Sequence, residues 1–302
     1  MSTRLDLPPS SLIICSRNRP QMLSETVASI LGADDVPTEL IIIDQSDHPN
    51  LYLKELGTDR PCKIQYIWTD IIGSSHARNR GVLAGSYDIV ASIDDDMWVA
   101  PTWYGALVRT LVQGGPRCVV TGRVMPAPTK DKNSFVVAVH PWEEPKVYAG
   151  RIGRDILASG HMAMYRSAFQ EIGGFDERLG PGTPFPGAED NDYGFRLLEA
   201  GYRIIYQPDS VIYHRAWRSN RDYVPLFWKY GRGQGAFYAK HLTWRDRYML
   251  RRMAGDFGRY LRLLPERIRK GLLTQLLGAT AFVLGIISGA VQWRLTQRET
   301  RS

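Results

Sequence analysis

An α/β fold, with a mostly parallel central sheet flanked by helices, is predicted by three observations in the first hundred residues. Apolar strand-like runs recur at 11–15, 39–44, 63–68 and 87–93. Segments with apolar residues at helical spacing separate them, and polar turns follow them. Strands that are apolar along their whole length are buried on both faces, as in a parallel sheet covered by helices.

The elements follow in order. Ser11-Leu12-Ile13-Ile14-Cys15 is a strand that runs into the turn Ser16-Arg17-Asn18-Arg19-Pro20. Pro20 suits the opening of a helix, where its missing N–H would have no partner in any case. That helix covers 22–31, with Leu23, Val27, Ile30 and Leu31 on one face, and Gly32 and Pro37 end it. Strands at 39–44 and 63–68, a helix over 75–83 and a strand at 87–93 complete this half. Parallel sheets bind ligands beyond the carboxyl ends of their strands. Ser16, Asp44, Asp94, Asp95 and Asp96 are therefore expected along one edge. A helix over 102–111 comes next. Gly and Pro recur without a clear period over 114–158, which predicts shorter antiparallel strands and loops. A helix over 195–200 capped by Gly201, and strands at 204–206 and 211–214, complete a domain of residues 1–215. Beyond 220 the pattern is helical, basic and aromatic.

The net charge of +7 conceals an asymmetry. Residues 1–214 hold 20 Lys and Arg against 26 Asp and Glu; residues 215–270 hold 15 against 4. An acidic body thus carries a basic arm, 216–270, that wants an anionic partner, either nucleic acid or a membrane surface. The segment 271–293 has no charged residue and is long enough to cross a bilayer or to lie in its interface. It favours the anionic membrane over nucleic acid, and a short basic tail, 294–302, follows it. Arg262, Arg267, Arg269 and Lys270 precede this segment and would hold the body on the cytoplasmic face. The N-terminus lacks the basic-then-apolar profile of a signal peptide. Cys15, Cys62 and Cys118 are odd in number and widely spaced, which argues for reduced thiols and against a disulfide framework.

Two acidic clusters carry the chemistry. Asp94-Asp95-Asp96 ends a strand, and three adjacent anions there are costly unless a cation joins them. Mg²⁺ or Mn²⁺ suits the place, since such ions take oxygen ligands and leave positions free for phosphates. Glu189-Asp190 follows a Gly- and Pro-rich loop, 180–186, and precedes a helix. Carboxylates there cap the helix dipole, or the loop is a lid over an active site.

In register, Ser11 to Pro20, Glu39-Leu40-Ile41-Ile42-Ile43-Asp44, Ala77-Arg78-Asn79-Arg80-Gly81, Asp94-Asp95-Asp96, Gly173-Gly174-Phe175-Asp176-Glu177 and Glu189-Asp190 resemble the family-2 glycosyltransferases with the GT-A fold. The resemblance covers about residues 10–215. It implies a nucleotide-sugar half, about 1–100, and an acceptor half, about 101–215. The reaction implied is transfer of one sugar from a UDP-, GDP- or dTDP-linked donor to a hydroxyl of a glycan or lipid-linked acceptor. Ser16, Arg17, Asp44, Arg78, Asp94 and Asp95 would bind the donor nucleotide, and Gly160 and His161 would approach the donor sugar. Asp96, with Asp94 and the late His214, would hold the metal. Asp190 would be the catalytic base, supported by Glu189, and the anomeric carbon would invert. Two rivals remain: a nucleotidyltransferase acting on a sugar phosphate, and a nucleic-acid-binding protein using the basic arm. The first needs a glycine-rich loop after its first strand, which 16–20 is not; the second leaves 271–293 unexplained.

Overall fold

The structure is a computed structural model that describes residues 7–50, 53, 62–129, 134–215, 217–243 and 245–299. Its centre is a nine-stranded sheet. The strands β1 (Ser10–Ser16), β2 (Glu39–Asp44), β3 (Lys63–Trp68) and β4 (Ile89–Asp94) are parallel neighbours in the order β3-β2-β1-β4. Beyond β4 come β9 (His161–Tyr165), β6 (Cys118–Pro126), β10 (Arg203–His214) and β5 (Met97–Val99). β6 and β10 run parallel to each other, whereas β9 and β5 are antiparallel to their neighbours. The short β8 (Lys146–Tyr148) pairs with β10. A separate ribbon joins β7 (Ser134–Phe135) to β11 (Arg218–Ser219).

The apolar run within β1 and within β2 now has its cause. Leu12, Ile14, Leu40 and Ile42 pack with α1 (Pro20–Leu31) and α3 (Trp103–Gly114) on one face. Ile13, Ile41 and Ile43 pack on the other with α2 (Ser74–Ala84), α4 (Arg166–Ile172) and α5 (Glu189–Glu199). Alternate residues thus feed two cores, so the middle positions, Leu12 to Ile14 and Leu40 to Ile43, are all apolar. All three cysteines are unpaired.

Three expectations need correction. The region expected to hold only short antiparallel strands contains β6, nine residues long and parallel to β10. Gly122 disguised it: a Cβ there would lie 2.3 Å from the His161 ring, so the strand must carry a glycine mid-run. The strands expected at 204–206 and 211–214 are one strand, β10, with a bulge between Gln207 and Val211. The helix expected at 195–200 begins at Glu189, so the acidic cluster forms its first turn.

Three helices follow the sheet: α6 (Tyr223–His241), α7 (Tyr248–Arg269) and α8 (Leu273–Glu299). α6 and α8 meet backbone to backbone. A Cβ on Gly231 or Gly235 would strike the carbonyl oxygens of Phe282 or Ile286 at 2.2 and 2.0 Å, and one on Gly289 would strike Arg232 O at 2.0 Å. Two small-xxx-small motifs therefore interlock, the arrangement that lets helix axes approach closely. α8 is the one helix among the described residues long and apolar enough to cross a membrane by length and composition. One of its faces is packed, with Ala279, Ile286 and Trp293 buried. On the opposite face Leu273, Leu277, Leu284, Ile287, Val291 and Leu295 form an exposed stripe.

Candidate active site

The parallel register sets Ser16 beside Asp44 and Cys15 beside Asp94, which collects the strand ends along one edge. The chain turns back after Asp96 into β5, which pairs with the end of β10 and sets Met97 opposite His214. The imidazole Nε2 of His214 thereby lies 3.5 Å from Asp96 Oδ1. Its Nδ1 sits 3.1 Å from the Val137 carbonyl. A proton donated there leaves Nε2 facing the carboxylate, the orientation of a metal-ligating histidine.

Cations surround this first cluster. Arg19 places Nη1 at 3.0 Å from Asp95 and 2.9 Å from Asp96. Ser16 donates to Asp95 at 2.7 Å. Arg78 donates to Asp94 at 2.7 Å. Burial alone would raise the Asp96 carboxyl, yet His214 and Arg19 hold it below the ordinary carboxylate range. Burial opposes a charge on His214 as well, but the hydrogen bond and charge of Asp96 outweigh it and raise the imidazole. Asp95, mostly buried, is pushed up to about 6 in spite of Arg19 and Ser16. Gly160 backs the Asp94 carboxylate so closely that a Cβ would lie 2.2 Å from its oxygen.

The second cluster is built differently. Gly187 (φ 139°) and Ala188 (φ 63°) turn the chain sharply before α5, and a left-handed alanine is a strained element that persists only when its surroundings hold it. The turn aims Glu189 and Asp190 into the cleft. Glu189 is 8% exposed and lies 3.6 Å from Arg78 Nη1. Arg78 thus spans both clusters. Burial and then the charge of Asp190 push Glu189 up to about 7, while Arg78 opposes them. Asp190 is also raised, because burial exceeds the help of Arg78. Asp190 Oδ1 and Arg78 Nη1 are buried without a hydrogen-bond partner among the described residues. Two residues on, Asp192 is fully buried but paired with Arg196 at 2.9 Å and with Lys240 and His241 at 2.7 Å. That anchor fastens α6 to α5.

Both clusters face one cleft of about 910 Å³. Ser16, Arg17, Arg78, the three aspartates, Glu189, Asp190 and His214 all line it. Three expected residues do not. Asp44 lies at the same edge with its carboxylate accepting from Tyr66 at 2.6 Å and Ser46 N at 2.9 Å. Gly160 contacts the site only as the support of Asp94. His161 needs correction: it is 0% exposed, with Nε2 2.8 Å from Ser210 Oγ, and burial pushes its imidazole down to about 3. It is a neutral core residue rather than a donor contact. The 180–186 loop is also pinned, through Phe185 packed on Trp293 and Thr183 bonded to the Arg178 and Gly180 carbonyls.

Sequence reading missed Arg19, the counter-ion of the aspartates, although its place after the first strand pointed at the edge. The sequence marks the segment Tyr230-Gly231-Arg232-Gly233-Gln234-Gly235 in the basic arm without giving it a place in the site; in the structure Tyr230 and Gln234 line the cleft, with Gln234 accepting from Asn191 at 2.7 Å.

Among the described residues, no three acidic, His or Cys side chains form a ready cation cage. The donor set still fits a hard divalent ion. Asp96 and His214 supply a carboxylate oxygen and an oriented imidazole nitrogen beside Asp94, and such ions often take their remaining ligands from substrate phosphates and water.

Comparison with known proteins agrees with this geometry. The family model for glycosyl transferase family 2 matches residues 11–173. A glucosyl-dolichyl phosphate glucuronosyltransferase of Haloferax volcanii is 27% identical over 240 residues, covering 72% of this chain and 74% of that protein. An N-acetylglucosaminyl-diphospho-decaprenol L-rhamnosyltransferase of Mycobacterium tuberculosis is 40% identical over 67 residues, 22% of this chain and 20% of that protein. Among solved structures, a mannosyltransferase from Pyrobaculum calidifontis in complex with GDP-Man and Mn²⁺ superimposes with a TM-score of 0.62 at 17% identity, covering 94% of this chain and 87% of that one.

Proposed function

The chain belongs to glycosyl transferase family 2, and we propose that it is an inverting, metal-dependent member that adds one sugar to a lipid-linked or cell-envelope glycan. One observation carries the reading: two carboxylate sets, Asp94 and Asp96 beside Arg19 and His214, and Glu189 and Asp190 at a helix start, line one cleft, with Arg78 reaching both.

The donor's nucleoside diphosphate lies along the strand edge, with Ser16, Arg17, Arg78 and Asp94 about it and Asp44 toward the base or ribose. Asp96 and His214, with Asp94, hold Mg²⁺ or Mn²⁺, which when bound neutralises charge on the departing diphosphate. Across the sugar, Asp190 takes the proton of the acceptor hydroxyl as its oxygen bonds to the anomeric carbon. The bond to the diphosphate breaks on the opposite face, so the configuration inverts, by the geometry of inverting glycosidases. The unpaired, buried Asp190 Oδ1 supports the base assignment. Glu189 orients its neighbour and the acceptor.

The exposed stripe of α8 and the basic α7 support attachment to an anionic membrane, with the catalytic domain on the cytoplasmic face. Because the opposite face of α8 is packed against α6, a helix lying in the interface suits the geometry better than a span.

The test is a screen of UDP-, GDP- and dTDP-sugars for release of nucleoside diphosphate, with Mn²⁺, with Mg²⁺ and with chelator. One donor class should turn over and lose activity on chelation. Release from no donor, or turnover indifferent to chelator, would overturn the proposal.

A further inference from the structure

The first turn of α5 carries Asp190 but is poorly secured by its own sequence. Ala188, in the N-cap position, offers no side chain to the free N–H groups of that turn, and its backbone is left-handed. The direction of Asp190 is therefore set from outside the helix. Asn191, its neighbour, donates Nδ2–H to Gln234 Oε1 at 2.7 Å.

Gln234 is buried in α6 and is itself held. Its Nε2 donates to the Tyr238 hydroxyl, one turn on, at 2.9 Å, and Tyr238 donates to Asp256 on α7. Asp256 also lies 3.3 Å from Arg259. Asn191, Gln234 and Asp256 all line the catalytic cleft. A row of four side chains thus runs from α5 across α6 to α7, and every hydrogen in it is directed the same way.

The acid at the far end sets that direction. Paired with Arg259, the Asp256 carboxylate only accepts, so Tyr238 must give it its single proton. Burial and then the charge of Asp256 raise the Tyr238 phenol, so it keeps that proton. Its oxygen is left as an acceptor. Gln234 must then turn its amide nitrogen to Tyr238 and its carbonyl to Asn191, and Asn191 must present its own amide nitrogen. A side chain that only filled space would have no such polarity. The other tie from α6, through Lys240 and His241, grips Asp192, whereas Gln234 grips the residue next to Asp190.

We propose that Gln234 is a positioning residue for Asp190: through Asn191 it fixes the first turn of α5, and Asp256 keeps it in the one orientation that does so. The proposal rests on the glycosyltransferase reading and adds to it a residue that acts through Asn191 rather than on the reacting atoms.

The test reverses the polarity of the row. Gln234→Glu keeps the shape but has no hydrogen for Tyr238, whose one proton then faces two carboxylates. Adding Asp256→Asn repairs this. The new amide at 256 donates to Tyr238, Tyr238 donates to the new carboxylate at 234, and that carboxylate still accepts from Asn191. Nucleoside diphosphate release is measured on the full chain with whichever UDP-, GDP- or dTDP-sugar wild type cleaves, on the alkaline plateau of its pH profile, beside thermal unfolding. Gln234→Ala and Gln234→Glu should each lower kcat by roughly 10- to 100-fold, the scale on which a small displacement of a catalytic group acts, with donor KM unchanged. The double variant should recover most of the kcat that Gln234→Glu loses, where two independent defects would compound.

Wild-type kcat in both Gln234 variants overturns the proposal. So does a loss of kcat accompanied by an equal rise in donor KM, which marks general disruption, and so does a double variant no faster than Gln234→Glu alone. If Gln234→Ala does not fold, Gln234→Glu and the double variant decide. Failure of the parent reading looks different: no donor releases nucleoside diphosphate in wild type, and the positioning role falls with it. The unfolding temperature, which needs no turnover, then still ranks Gln234→Glu below the double variant.

Discussion

The two carboxylate sets share a cleft but solve opposite problems. Asp94 and Asp96, at a sheet edge, are met by Arg78, Arg19 and His214, and Asp96 stays charged well into the acidic range. Glu189 and Asp190, in the first turn of a helix, have both carboxyls raised by burial against the opposing charge of Arg78. A permanently charged group can hold a cation and a diphosphate; a group whose proton affinity has been raised can accept a proton near neutrality. Environment, not residue type, separates the roles.

Breaking each set in turn gives the largest effects. Asp190→Asn removes the proposed base and should lower kcat by roughly 100- to 10 000-fold, the usual contribution of general base catalysis, with donor affinity unchanged. Asp96→Asn should instead weaken metal-dependent donor binding, by about 10- to 100-fold, as seen when metal sites are disturbed. Calorimetric donor titration beside steady-state kinetics separates the two. If Asp190→Asn loses donor affinity while turnover persists, the roles are reversed.

The raised carboxyls predict a pH profile. The proposed base works deprotonated, so kcat/KM should climb with pH, about tenfold per unit, and level off only above the ordinary carboxylate range. An ordinary aspartate would already have reached its plateau at about pH 5. Glu189→Gln removes the adjacent charge and should move the midpoint down. A flat profile from pH 5 to 8 in wild type contradicts the raised pair.

The first set was far easier to read in the sequence than the second. The middles of strands β1 and β2 are apolar because two cores claim alternate residues, and the polar residues that end β1, β2 and β4 fall on one edge by register alone. That logic is local, so it survives in a linear string. The surroundings of Glu189 and Asp190 depend on contacts across long separations, such as Asn191 to Gln234 and Asp192 to Lys240 and His241. Gly231 and Gly235 are spaced unlike a phosphate-binding fingerprint, and their role needed a partner helix fifty residues away. His161 shows the reverse error, since a histidine beside a catalytic strand looks functional until its burial is known.

The smallest prediction asks whether the second set depends on that helix pair. Gly233 points away from α8 and toward the turn before α5; a Cβ on it would lie 2.6 Å from the Gly187 carbonyl carbon and oxygen. Backbone cannot rotate aside as a side chain can, so Gly233→Ala must displace either α6 or the strained Gly187-Ala188 turn. Overpacking of this kind costs about 1–3 kcal/mol. Gly258→Ala, whose Cβ would meet only the Arg262 guanidinium at 3.9 Å, should stabilise the chain by roughly 0.5–1 kcal/mol through helix propensity. Thermal unfolding should therefore shift in opposite directions for the two alanines. Only Gly233→Ala should also lower kcat, because it moves Asp190 while the sheet edge proposed to hold the donor stays where it is. A Gly233→Ala protein with wild-type kcat would show that the turn holds Asp190 without support from α6.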